Sequence, residues 1–136
     1  MEGKGKYVEG IGRRKSAVAR VRLFPEGPGG QFVVNDKKYE DYFLIKRYQQ
    51  NAVAPLKILD GPTKKSMGVT VNVKGGGPMG QSEAVTLGLA RALVKFNEEF
   101  KPQLRVSGYL TRDSRKVERK KPGLKKARRA PQWRKR

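Results

Sequence analysis

The sequence predicts a mixed α/β body followed by a cationic tail, and three observations carry that expectation. Two segments alternate apolar and polar residues with the period of a strand, and one long segment repeats apolar residues with the period of a helix. The third is an abrupt change of charge near residue 112. Residues 1–111 carry 19 basic and 10 acidic side chains, whereas residues 112–136 carry 13 basic and only two acidic, Asp113 and Glu118. More than half of the +20 net charge thus lies in under a fifth of the chain, so a globular body at 1–111 and a polybasic tail at 112–136 are expected.

Taken in order, KYVEGIG (6–12) is a short strand that reaches the turn-like GRRKS. SAVARVRLF (16–24) places Ala17, Ala19, Val21 and Leu23 on one face and Val18, Arg20, Arg22 and Phe24 on the other. PEGPGG (25–30) is a turn and QFVVN (31–35) a third strand. Residues 38–54 are expected to be helical and to stop before Pro55, which disfavours helix at the residue preceding it. SMGVTVNVK (66–74) puts Val69, Val71 and Val73 on one face and Thr70, Asn72 and Lys74 on the other. After GGGPMG comes the strongest helix, QSEAVTLGLARALVKFNEEF (81–100), with Val85, Leu89, Ala92 and Phe96 in a stripe widened by Ala84, Leu93 and Val94. It should cover one face of the sheet. A second helix is expected from about Pro102 toward Tyr109, with proline in its first turn.

A chain of 136 residues is the size of one domain. Its charge opposes compaction, which suits a polyanionic partner: nucleic acid or an anionic membrane. No stretch approaches the roughly 20 apolar residues that span a bilayer. MEGKGKYVEG lacks the apolar core of a secretory signal, and Pro122, Gly123 and Pro131 break any amphipathic helix in the tail. With no cysteine and no histidine, disulfides, thiol chemistry, the usual zinc sites and the commonest general base are excluded. A cytoplasmic binding protein with no cofactor or metal is expected.

VKGGGPMGQSEA has the strand, glycine turn and helix order of phosphate-binding loops. Counting from Gly75, however, Gln81 and Ser82 stand where a nucleotide loop needs Lys and Ser/Thr, so a nucleotide site is not expected. An RNA phosphate resting on the turn stays open. The acids form no catalytic set: Glu98 and Glu99 are adjacent on a helix and do not face one another, and Asp36, Asp41 and Asp60 sit among lysines. GRRKSAVARVR is more informative. Arg13, Arg14 and Lys15 crowd the connection between two strands, while Arg20 and Arg22 project from one strand face without an acid nearby in sequence. A solvated polar face would look similar. The net charge and the phosphate-binding fork of arginine favour RNA contact.

The tail adds Arg112, Arg115, Lys116, Arg119, Lys120, Lys121, Lys125, Lys126, Arg128 and Arg129, then Arg134, Lys135 and Arg136. Leu124, Ala127, Ala130 and Trp133 recur every three positions, a faint helical stripe that Pro131 interrupts. An extended path is expected, which spans about 60 Å for eighteen residues. A solvated polybasic segment or a localisation signal would share this composition. Trp133 offers a face for a base or an arginine to stack on, or a surface that packs on protein.

YVEGIGRRKSAVARV, VKGGGPMGQSEAVTLGLARAL and LTRDSRKVERKKPGLKKARRAPQWRKR together resemble the family of small-subunit ribosomal protein nine, in its bacterial and organellar branch, over about residues 7–136. The resemblance implies a two-layer sandwich of a four-stranded sheet and helices, similar to the second domain of small-subunit ribosomal protein five. A left-handed βαβ crossover, against the usual rule, belongs to that fold. It also implies ribosomal RNA and neighbouring ribosomal proteins of the subunit head as partners. The terminal Lys135 and Arg136, joined here by Arg134, would reach the anticodon stem-loop of P-site tRNA. Four positions depart from the family pattern: Ile11 for threonine, Asp36 for glycine, Trp133 for phenylalanine and Arg134 for serine. PEGPGG is also longer than the usual loop.

Overall fold

The computed structural model describes residues 5–27, 29–59 and 66–135. The expectations for Asp60 and Arg136 lie outside the described residues. Strands β1 (Val8–Arg14), β2 (Ala17–Phe24), β3 (Phe32–Val34), β4 (Lys37–Lys38) and β5 (Gly68–Lys74) form one sheet in the order β1-β2-β5-β3-β4. The sheet is mixed: β3 runs parallel to β5, and every other neighbouring pair is antiparallel. Helices α1 (Tyr39–Tyr42), α2 (Lys46–Ile58), α3 (Pro78–Phe96) and α4 (Lys101–Val106) lie with it among the described residues.

The alternations in β2 and β5 sort as their periods require. Ala17, Ala19, Val21 and Leu23, with Val69, Val71 and Val73, are buried in the core, together with Phe32 and Val34 of β3. Helix α3 lies over this face. It is buried at Ala84, Val85, Leu89, Ala92 and Leu93 of the expected stripe, with Val94 and Phe96 half-buried, and also at Leu87 and Ala90, where α2 packs beside it. Its contact with β1 is close. A Cβ on Gly12 would overlap the Ala84 carbonyl oxygen and the Gly88 amide, and one on Gly10 would overlap the Gly88 carbonyl oxygen. The helix therefore seats backbone against backbone, which only glycine permits here. From the solvent side, Arg91 Nη1 donates to the Ile11 carbonyl (2.7 Å) and Lys95 Nζ to the Glu9 carbonyl (2.9 Å). These bonds cover the free edge of β1, where open strand groups invite unwanted pairing.

Several expectations are corrected. The sheet has five strands rather than four, because Asn35 (φ 47°) and Asp36 (φ 66°) both take left-handed backbone and fold the chain back to add β4. The Asn35 side chain then extends the β3–β5 pairing: Val73 N–H donates to Oδ1 (2.9 Å), and Nδ2 donates to the Val73 carbonyl (2.9 Å). Strand β1 runs on to Arg14, so the turn after it is only Lys15 and Ser16. The helix expected at 38–54 is two helices separated by the extended stretch around Phe43, whose buried ring takes the chain inward. Helix α3 starts earlier than expected, with Pro78 in its first turn, and ends at Phe96 before a 3₁₀ turn at Glu98–Phe100.

The second of those two helices also runs through Pro55 instead of stopping before it. Proline cannot donate to the carbonyl four residues back, that of Asn51. Here the Thr86 hydroxyl of α3 donates to the Asn51 carbonyl at 2.6 Å, so the vacant acceptor is filled from the neighbouring helix. No periodicity within residues 38–58 carries that information.

Two stability outcomes follow from this packing. T86V should destabilise the fold by about 1–2 kcal/mol by leaving a carbonyl without its donor. In a P55A background, where a backbone N–H is restored, most of that loss should disappear; equal losses in both backgrounds would assign Thr86 another role. G12A should cost about 3 kcal/mol through forced backbone separation. G77A, whose Cβ meets nothing within 4 Å, should cost at most about 1 kcal/mol, from the poorer N-cap of α3, in the same chemical denaturation series.

Candidate nucleic-acid interface

Helices cover one face of the sheet, and the opposite face is open. Period-two geometry sends Arg13, Arg20, Arg22, Asn72 and Lys74 to that side, along with Tyr7 and Phe24. Across it runs a groove lined by Tyr7, Phe24, Arg20, Arg22 and Lys74, with Asp36 as an acid among them. Arg22 lies 5.0 Å over the Tyr7 ring, and Tyr7 meets Phe24 at 5.6 Å, so a guanidinium and two aromatic rings stand side by side in the groove.

One premise of the sequence reading is corrected here. Arg20 and Arg22 do have an acidic neighbour: Glu9 stands directly across from Arg22 in the β1–β2 register. Arg20 Nη2 donates to Glu9 Oε1 at 3.0 Å, and Arg22 Nε lies 3.7 Å from Glu9 Oε2. Eleven residues separate Glu9 from Arg20, but hairpin geometry brings them together. The alternation of KYVEGIG, extended to Arg14, would have shown Glu9 on the same face. One carboxylate shared by two guanidiniums still leaves positive charge, and exposed pairs of this kind are weak.

Among the three cations at the hairpin, Arg13 and Lys15 are exposed, Lys15 at its tip with φ 51°. Arg14 is different. Alternation turns it inward after Gly10 and Gly12, and only 11% of its side chain is exposed. Its Nε donates to Glu83 Oε2 of α3 (2.6 Å), its Nη1 to the Arg115 carbonyl (2.9 Å), and its Nη2 lies 3.4 Å from Asp113 Oδ2. The guanidinium expected to bind RNA is thus occupied within the chain. Thr111, Asp113 and Gly108 line a cleft of about 300 Å³ beside it, with Arg13, Glu83 and Thr86 opposite.

From Arg112 onward the described residues form no helix or strand. Asp113 accepts from Arg115 three times, from Nη2 at 2.7 Å, from Nε at 3.0 Å and from the backbone N–H at 3.0 Å. Those hydrogen bonds hold the Asp113 carboxyl well below the usual carboxylate range, with the charges of Arg115 and Arg14 adding to the effect. Asp113 in turn pushes Arg115 up. Further on, Glu118 accepts from Lys121 Nζ (2.8 Å) and Arg128 Nε (3.0 Å), and the Lys125 N–H donates to the Arg129 carbonyl (2.7 Å). Residues 118–129 are therefore closed into a turn rather than drawn out.

Leu124 and Ala127 are half-buried in that turn, while Ala130 and Trp133 are exposed, Trp133 to 91%. Arg112, Arg115, Lys116, Arg119, Lys120, Lys121, Lys125, Lys126, Arg128, Arg129, Arg134 and Lys135 are all exposed. Among the described residues, no group of acids is placed to hold a metal ion, and no helix is long and apolar enough to cross a membrane. At the glycine turn, Gly75 and Gly76 take φ of 76° and 67°, and Gln81 Nε2 closes the loop on the Gly75 carbonyl (3.0 Å).

The family model described as ribosomal protein S9/S16 matches residues 12–136. The chain belongs to the ribosomal protein S9/S16 family. It is 49% identical over 129 residues to the small ribosomal subunit protein uS9 of Nocardia farcinica, covering 95% of this chain and 75% of that one. The uS9 protein of Mycobacterium tuberculosis strain H37Rv is likewise 49% identical, over 95% of this chain and 83% of its own. That of Saccharopolyspora erythraea is 49% identical over 132 residues, 97% of this chain and 84% of its own. These relatives place the chain with the bacterial branch of the family, which is structural and not enzymatic.

The Asp113 contact has a definite pH sign. Its carboxyl is depressed from the ordinary value of 3.8, so what it contributes is fully present above that value and is lost as pH falls through the folded one. R115Q should move the Asp113 midpoint upward in an NMR titration of its side-chain carboxyl. A midpoint that does not move would assign the depression to the Arg115 backbone N–H and to Arg14 instead.

Proposed function

We propose that the chain is a structural component of the small ribosomal subunit that organises ribosomal RNA in the subunit head and touches P-site tRNA. The body, residues 1–111, lays Arg13, Lys15, Arg20 and Arg22 on RNA. The tail, residues 112–136, contributes Arg112, Arg115, Lys116, Arg119, Lys120, Lys121, Lys125, Lys126, Arg128 and Arg129 to RNA. Arg134, Lys135 and Arg136 reach the anticodon stem-loop, with Trp133 stacking on a base. Neighbouring ribosomal proteins of the head complete its surroundings, in the cytoplasm of a bacterium or within an organelle. The body takes the fold of the second domain of small-subunit ribosomal protein five, with a left-handed crossover joining β3 to β5.

One observation carries this reading: in a chain of a ribosomal protein family, every cation from Lys116 to Lys135 is exposed, with Glu118 alone to oppose them. Such a segment repels itself in water and gains affinity by releasing counterions from phosphates. Arginine forks suit phosphate pairs, and an exposed indole suits an unstacked base. Arg14 is left out of the RNA set because its guanidinium is already held by Glu83 and Asp113.

Sedimentation of extract through a high-salt gradient tests the assignment. The protein should stay with the small subunit at one copy per particle, whereas a protein that spreads over all nucleic acid is a general polyanion binder. Removing Arg134, Lys135 and Arg136 should weaken P-site tRNA binding with assembly intact, and equal affinities would sink the tRNA role. In RNA binding by the free protein, R20A and R22A should each reduce the slope of log affinity against log salt by about 1.

A further inference from the structure

The cluster around Arg14 combines features that a binding site for a polyanion lacks. Its inward cation, Arg14, is 11% exposed and faces two acids, Glu83 and Asp113, so it is not offered to RNA, whereas Arg115 at the rim stays 84% exposed. In a chain of net charge +20 with 12 acids, two of those acids converge on one inward-facing guanidinium. The three groups that Arg14 holds come from two distant parts of the chain. Glu83 is in the second turn of α3, while Asp113 and the Arg115 carbonyl stand at the first residues of the tail. Asp113 then stiffens that point itself by accepting from the Arg115 N–H at 3.0 Å.

We propose that Arg14 is a positioning residue: through Glu83, Asp113 and the Arg115 carbonyl it fixes the root of the cationic tail on α3 and so sets the direction in which the tail leaves the body. This rests on the reading that the tail meets RNA and tRNA. The physical reason is one of effective concentration. A segment tethered by a free joint samples many directions, and the contact at its far end is weakened by the fraction of time spent elsewhere. Fixing the root removes that loss before RNA is met. A lysine in place of Arg14 keeps the charge but, as a compact ammonium on a flexible stem, does not reproduce the fixed fork that serves three acceptors in different directions.

The chain has no cysteine, so two introduced cysteines can be labelled uniquely in the full-length protein. Spin labels at K57C on α2 and V117C in the tail, both exposed positions, report the spread of distances between body and tail. D113A changes a half-exposed side chain outside the core and keeps the test independent of whether Arg14 variants fold. It should broaden the distance distribution while one cooperative thermal transition is retained with only a small drop in its midpoint, and R14K should broaden it too. Small subunits reconstituted with D113A should lose about 3–10-fold in P-site tRNA affinity, whereas D113A should cause no loss in subunits that already lack residues 134–136. A distribution as narrow in D113A as in the unaltered chain overturns the proposal. So does a D113A loss that persists in full without residues 134–136. If D113A broadens the distribution but removing residues 134–136 leaves tRNA affinity unchanged, the positioning role stands and the tRNA role falls.

Discussion

Helix α3 approaches β1 until main chain touches main chain, and the remainder of the molecule is arranged around that contact. Gly10 and Gly12 on the strand and Gly88 on the helix leave no side chain between them; a Cβ on Gly88 would come within 2.8 Å of Val21 and 3.0 Å of the Gly12 amide. Close seating lets Arg91 and Lys95 reach past the strand to its free carbonyls, covering an edge that would otherwise be open. It also means that the inward face of β1 carries a single long side chain. That side chain is Arg14, set where β1 ends and α3 begins, within reach of Glu83 and of the chain as it leaves α4. The glycine contact and the arginine cluster are thus consecutive consequences of one strand alternation.

Charge is laid out on two scales. At short range the acids are used locally: Glu9 is shared by Arg20 and Arg22, Asp113 by Arg14 and Arg115, and Glu118 by Lys121 and Arg128. Exposed pairs contribute little stability individually. Their effect here is on shape, since each joins segments that the positive surplus would push apart. At long range that surplus remains, and it belongs to the open sheet face and to the residues after Arg112. The family is structural and not enzymatic, and what distinguishes this chain is a particular placement of cations.

The strands were legible because alternation reports burial directly, so β2 and β5 emerge from SAVARVRLF and SMGVTVNVK with the correct face inward. Helix α3 was legible for the same reason at a different period. The errors share a cause. Pro55 removes one helix donor, and the Asn51 carbonyl it leaves vacant is served by Thr86, 31 residues after Pro55 and on another helix. Strand β4 depends on Asn35 and Asp36 both accepting left-handed backbone, and the Asn35 side chain meanwhile stands in for a strand amide opposite Val73 of β5. Arg14 reads as one of three equivalent cations until β1 is extended to include it, and then its parity separates it from Arg13 and Lys15.

Composition and pattern by themselves established a small α/β body, a polybasic segment after residue 111, the absence of thiol and imidazole chemistry, and the blocks that carry the family resemblance. These properties are local or additive: charge sums along the chain, and periodicity depends on near neighbours. Partnership between distant residues was decided only by the tertiary structure. Glu9 beside Arg20, Thr86 at the Asn51 carbonyl, and Arg14 between Glu83 and Asp113 each join residues from different elements or from opposite sides of a turn. A hydrogen bond is satisfied by whatever donor lies within about 3 Å, regardless of its position in the chain. Which arginine faces solvent and which holds the tail is therefore a property of the packed sheet and helices.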